Sequence, residues 1–207
     1  MLIGFLGAPI SGKTTTAALL FAGLKDNGYV AEFLPEQART YIAFKRYSEV
    51  TTAMSEANQP GSCVAVPSRP LDDFDQLDIM RKQYAVEKVF SEVSPRSLIV
   101  TDCAAFLALL YMTPEARVKQ DVLQKARASA AGFDLLFRCH PVKPGDLYDP
   151  NRVHSFEQSQ ALDAQLEEVM RLAEVPTEKV VDLAGPSNVR ASRAHFEVME
   201  RMLCHRR

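Results

Sequence analysis

Eight residues near the N-terminus constrain this chain more than any others. Gly7-Ala8-Pro9-Ile10-Ser11-Gly12-Lys13-Thr14 fits G-x-x-x-x-G-K-[ST] at every fixed position. An apolar run, Leu2–Leu6, precedes it and an amphipathic stretch from Lys13 follows it. Strand, glycine loop, helix is the context in which this motif binds phosphate. The glycines let the backbone curl so that successive N–H groups point inward at anionic oxygens. The helix presents the positive end of its dipole to the same place. In such a loop the lysine reaches the β and γ phosphates of a nucleoside triphosphate, and the Ser/Thr hydroxyl coordinates Mg²⁺. Gly7, Ala8, Pro9, Ile10, Ser11, Gly12, Lys13, Thr14 and Thr15 are therefore the candidate phosphate-binding residues, with Lys13 also a catalytic candidate and Thr14 a metal ligand.

A phosphate loop of this kind demands a parallel sheet, and the rest of the chain supplies one. Short apolar runs alternate with long amphipathic segments, as in α/β proteins. Strands are predicted at Leu2–Leu6, Val30–Leu34, Leu98–Thr101, Phe133–Arg138 and Lys179–Leu183. Helices are predicted over 13–27 (closed by Gly28), 36–46, 74–93, 155–173 and 187–204. The result is a three-layer P-loop NTPase fold, a five-stranded parallel sheet with helices on both faces. The length of 207 residues suits one domain spanning 1–207. Residues 47–72 are rich in Ser, Thr, Asn, Gln, Pro and Gly without a period, and read as a mobile loop or substrate-side insertion. Residues 141–154, with Pro141, Pro144 and Gly145, read as a lid-like loop before a helix.

Three further positions carry chemistry. Leu98-Ile99-Val100-Thr101-Asp102 is an apolar strand ending in a carboxylate, the form in which P-loop proteins hold Mg²⁺; an ordinary helix cap is the bland reading of the same aspartate. Glu36 closes the second strand, where a parallel sheet faces its ligand crevice, and is a candidate base for an acceptor hydroxyl. Arg39 lies three residues on, one helical turn away, as a candidate clamp. Arg152, in Asp149-Pro150-Asn151-Arg152, is a candidate for stabilising charge on a transferring phosphoryl group.

Composition excludes some classes. A net charge of −2 gives no general pull toward nucleic acid or anionic membrane. The four cysteines form no CxxC or CxxH pair, which argues against a metal cluster or disulfide framework. The N-terminus has no basic region or cleavage site, and no apolar stretch reaches the roughly 18 residues of a membrane span, so a cytoplasmic location is expected.

Taken in order, these pieces resemble the ribosylnicotinamide kinase domain of the NadR-type proteins and the small P-loop kinase/ATPase domains grouped with it, many of them phage-encoded. The resemblance runs through the P-loop, Glu36-Gln37-Ala38-Arg39-Thr40-Tyr41, the Gln83-Tyr84 helix, Asp102, Phe133-Asp134, Asp149-Pro150-Asn151-Arg152 and the Arg190/Arg193 helix. It implies an ATP- and Mg²⁺-dependent phosphotransferase acting on a hydroxyl of a nucleoside, nucleotide or similar metabolite. Ala104 stands where the family often has a second acid, and the chain lacks the tryptophan that the nicotinamide enzymes stack on their ring. The acceptor is therefore left open. A kinase of hydroxymethylated bases in DNA, with Lys45, Arg46 and Arg69 bordering a groove, and an ATPase or nucleotide-gated binding protein are the alternatives.

Overall fold

Leu2–Leu6 and Leu98–Thr101 are apolar at almost every position, as expected of strands covered on both faces. In the computed structural model, which describes residues 1–56, 71–142 and 155–204, both are buried throughout. Five parallel strands, β1 (Leu2–Leu6), β2 (Ala31–Leu34), β3 (Leu98–Thr101), β4 (Leu135–Cys139) and β5 (Val180–Leu183), lie in the order β2-β3-β1-β4-β5. The helices are α1 (Lys13–Asp26), α2 (Gln37–Glu56), α3 (Asp73–Val93), α4 (Pro114–Arg117), α5 (Gln120–Gly132), α6 (Phe156–Ala164), α7 (Leu166–Leu172) and α8 (Ser187–Cys204). A 3₁₀ segment, Ala105–Tyr111, follows β3. The three-layer P-loop NTPase fold is thus present as the sequence predicts.

Alternation along β1 sends Ile3 and Phe5 to one face, where Ala17, Leu20 and Leu24 of α1 and Ala194 and Val198 of α8 cover them. Leu2 and Leu6 face the other layer, made of Met80 of α3, the 3₁₀ segment, α5 and α7. Between them Gly4 has no side chain because Phe133 occupies the space; a Cβ there would meet the Phe133 ring at 2.5 Å. Glycine also ends α1 as expected. Gly28 adopts φ 79°, and the Gly28 and Tyr29 N–H groups return to Lys25 and Leu24 carbonyls in a Schellman closure.

The structure departs from expectation in three places. Residues 47–56, expected to be irregular, continue α2 to Glu56; of the 47–72 segment, 57–70 lie outside the described residues. The helix expected over 155–173 is two, divided at Gln165, whose amide oxygen accepts from Arg117 Nη2 at 2.7 Å. The 3₁₀ segment, α4 and α5 were not expected at all. Most of the lid-like loop, 143–154, lies outside the described residues, and Arg152 with it.

Candidate active site

The P-loop leaves β1 at Gly7, whose φ is 140° and whose absent side chain is required twice over. A Cβ there would approach the Cys139 carbonyl oxygen to 2.2 Å and Ser11 Oγ to 2.8 Å. Gly12, at φ 78°, is the N-cap of α1 and offers no side chain to its first turn. The first bond of the α1 ladder runs from Thr16 N–H to the Gly12 carbonyl. The N–H groups of Lys13, Thr14 and Thr15 therefore precede the ladder and point out of the helix end. That first turn holds no acidic residue. A cradle of unsatisfied donors with a positive dipole is an anion site.

Lys13 arches back over this loop. Its Nζ donates to the Gly7 and Ala8 carbonyls at 2.6 and 2.9 Å, which holds the ammonium above the cradle. The loop is braced from behind by a residue given no role by the motif. Arg190 of α8 is buried, and its Nη1 donates to the Ser11 carbonyl at 2.5 Å while Nη2 donates to the His140 carbonyl at 3.2 Å. The Ser159 hydroxyl of α6 donates to the Pro9 carbonyl on the other side. Arg190 was visible in the sequence only as a member of the family pattern, because its work is done on backbone carbonyls far away in the chain.

Asp102 follows β3 and is buried. The Thr14 hydroxyl is hydrogen-bonded to its carboxylate, and burial pushes its pKa up against the pull of that bond, with the nearby Glu36 charge pushing the same way. Among the described residues Asp102 Oδ1 meets no hydrogen-bond partner. The helix-cap reading fails here, since the following 3₁₀ segment is capped at Ala104 without a side-chain bond. A buried, unpartnered carboxylate oxygen beside a threonine hydroxyl is a hard-oxygen donor set that fits Mg²⁺, an ion that keeps waters and phosphate oxygens for its remaining positions. Asp102→Asn keeps the shape and the acceptor for Thr14 but removes the charge. The variant is expected to bind nucleotide with a raised Mg²⁺ requirement and a much reduced rate, read by titrating Mg²⁺ against turnover. Parental turnover at low Mg²⁺ would leave Asp102 without a metal role.

Register brings Glu36 to the same edge. Leu34 pairs with Thr101 and accepts from the Asp102 N–H, so Glu36, two residues past β2, leaves the sheet beside Asp102, one residue past β3. The Glu36 charge is felt at Asp102, Cys103 and Tyr111, whose pKa values it helps raise after burial has done most of the work. Arg39 Nε lies 3.8 Å from Glu36 Oε2 with its side chain 75% exposed, so this pair contributes little to stability and leaves the guanidinium accessible. Lys13, Thr14, Asp102, Glu36 and Arg39 thus meet at one end of the sheet. Cys139 is packed beneath Gly7, and the His140 ring contacts Asp163 and Asp182 at 3.2 and 3.1 Å.

A buried acid behind the site escaped the sequence reading. Glu87 of α3 is 1% exposed, and burial pushes its pKa up to about 8 despite hydrogen bonds from Gln83, the Ala105 N–H and Ser129. The folded protein therefore holds a proton there that the unfolded chain releases above its ordinary pKa of 4.5. The resulting penalty is absent at pH 4, grows as pH rises, and is complete above about 8. Stability therefore falls with rising pH across that window. Glu87→Gln, uncharged at every pH, is expected to flatten the loss of stability between pH 5 and 8 in denaturant titrations. Identical pH slopes for parent and variant would contradict the buried neutral acid.

The family model described as an AAA domain matches residues 2–185. The chain belongs to that family. Among solved structures, it is similar to the NadR protein in complex with NR, at 23% identity and a TM-score of 0.59 over 96% of this chain. It spans about half the length of that NadR chain, 50%. A gluconokinase from Sinorhizobium meliloti 1021 matches at 15% identity and a TM-score of 0.47, covering 98% of this chain and 95% of the other. The Mycobacterium tuberculosis APS kinase CysC in complex with AMPPNP and APS matches at 14% identity and a TM-score of 0.43, covering 96% of each. No curated protein matches the sequence. The NadR likeness shows a shared fold. Among the described residues no helix is long and apolar enough to cross a membrane.

Proposed function

We propose that this chain is an ATP-dependent kinase that transfers the γ-phosphate to a hydroxyl of a nucleoside, nucleotide or similar small acceptor. The observation that carries this reading is the meeting of the P-loop, the unpartnered Asp102 oxygen and Glu36 at one sheet edge. The loop N–H groups and Lys13 bind the β and γ phosphates. Thr14 and Asp102 would hold Mg²⁺, which would supply charge neutralisation to the phosphates. Glu36 accepts the proton of the acceptor hydroxyl as its oxygen attacks the γ-phosphorus and the bond to the β-γ bridging oxygen breaks. Arg39 orients the acceptor, and Arg152 takes the charge developing on the phosphoryl group.

A small acceptor is favoured over DNA by Lys45. Its ammonium is bound to the buried Asp75 carboxylate at 2.5 Å, so one of the cations that would border a DNA groove is already neutralised within the fold. The experiment is transfer of label from γ-labelled ATP to a panel of nucleosides, nucleotides, small hydroxylated metabolites and hydroxymethylated DNA. Label is expected in one of the small acceptors. Label in DNA alone, or only in inorganic phosphate, would contradict this reading.

A further inference from the structure

Behind Glu36 the start of α2 is tied to the end of β3 twice, by the Asp102 N–H on the Leu34 carbonyl at 3.3 Å and by one side chain. Gln83 of α3 is 2% exposed and uses its whole amide. Its Oε1 accepts from the Gln37 backbone N–H at 2.9 Å. Its Nε2 donates to Thr101 Oγ1 at 3.1 Å and to Glu87 Oε1 at 3.2 Å. The partners fix the orientation of that amide. Gln37 N–H can only donate, and the Thr101 hydroxyl is committed as donor to the Cys103 carbonyl at 3.1 Å. Glu87 Oε1 also accepts from the Ala105 N–H at 3.0 Å, and Glu87 Oε2 from the Ser129 hydroxyl at 3.4 Å, so the far end is anchored in the 3₁₀ segment and α5.

Gln37 is the first residue of α2, where the N–H has no partner within its own helix. Glu36 immediately precedes it, and Asp102 immediately follows Thr101. We infer that Gln83 is a positioning residue for phosphoryl transfer: by holding Gln37 and Thr101 on one amide, it sets Glu36 at a fixed place relative to Asp102 and the phosphates. The inference rests on the kinase reading above and adds to it the residue that aligns its acceptor side with its metal side. Gln83 touches neither nucleotide nor acceptor, so its loss should act through Glu36. Nucleotide binding depends on the P-loop, which Gln83 does not contact.

Gln83→Met keeps the volume and shape of the side chain while removing both its donors and its acceptor. Gln37→Pro removes the N–H at the other end of the tie, at the first helical position, where proline is tolerated, and Gln37→Ala, which loses only the side-chain bond to the Pro35 carbonyl, is its control. Gln83→Met and Gln37→Pro are each expected to lose about 10–100-fold in transfer of label from ATP to the acceptor, the effect of a misplacement near 1 Å. ATP affinity and slow hydrolysis by water are expected to stay within about twofold. Glu87→Gln, which preserves the acceptor for Gln83, is the control expected to retain transfer. Adding Gln83→Met to Glu36→Gln is expected to cost little more than Glu36→Gln alone, because both remove one function. Exchange of the Gln37 amide hydrogen is expected to be slow in the parent and fast in Gln83→Met. Transfer by the parent tests the kinase; the ratio of variant to parent tests Gln83. Unchanged transfer in the variants, equal losses of transfer and hydrolysis, additivity with Glu36→Gln, or fast parental exchange at Gln37 would each overturn the inference. Should Gln83→Met not fold, Gln37→Pro tests the same tie from its other end.

Discussion

Lys13→Ala is expected to reduce phosphoryl transfer by at least about 10²-fold, the usual cost of removing one donor aimed at developing charge. The fold should not suffer. Lys13 is half-buried at the start of α1, and among the described residues its ammonium donates to the Gly7 and Ala8 carbonyls of the loop it serves. Neither core cluster includes it. Losing those two bonds costs about 1–3 kcal/mol and opens no cavity in the core. Turnover and thermal midpoint measured together check both halves. Full turnover in a well-folded Lys13→Ala protein would mean that the loop does not act on a triphosphate.

Glu36→Gln carries the other large effect. A positioned base contributes on the order of 10²–10⁴-fold to transfer onto a hydroxyl. The amide keeps the size of the side chain and loses its basicity. Nucleotide binding should be unaffected, since the proposed mechanism assigns the phosphates to the loop and the metal to Thr14 and Asp102. Removing the Glu36 charge also relieves repulsion at Asp102, whose pKa that charge helps to raise. A bound cation loses that same negative neighbour, so Mg²⁺ affinity is expected to hold or fall slightly in the variant. The ion pair lost with Arg39 is worth little, because it is long and solvated.

The parts of this molecule that were legible in the sequence are those whose signal is local. The P-loop is contiguous, and strands such as Leu98–Thr101 are uninterrupted apolar runs because both faces are covered. Asp102 and Glu36 are legible as candidates by position alone, one at the end of each of two neighbouring strands. Elements without a period were missed. Ala105–Leu110 is buried at every residue, so its apolar run shows no stripe. The buried positions of α5 include Ala126, Ser129 and Ala130, small residues chosen for close approach rather than bulk. The first half of α2 is pinned to α3 by Tyr41 and Lys45 on the buried Asp75, contacts across 30 residues or more. Gln83, Glu87 and Arg190 act through hydrogen bonds to distant partners, often backbone groups, and no spacing rule announces such bonds.

The most direct test of the central claim is the partition of γ-phosphate label between acceptor and water, in the parent and in Glu36→Gln at saturating ATP and Mg²⁺. For the parent, label is expected to enter an acceptor from the panel faster than it enters inorganic phosphate. For Glu36→Gln, the acceptor rate is expected to fall by about 10²-fold or more, with ATP affinity and the water rate retained. If no acceptor draws label from the parent above the water rate, and Glu36→Gln behaves as the parent does, the central claim is contradicted and the chain is not a kinase.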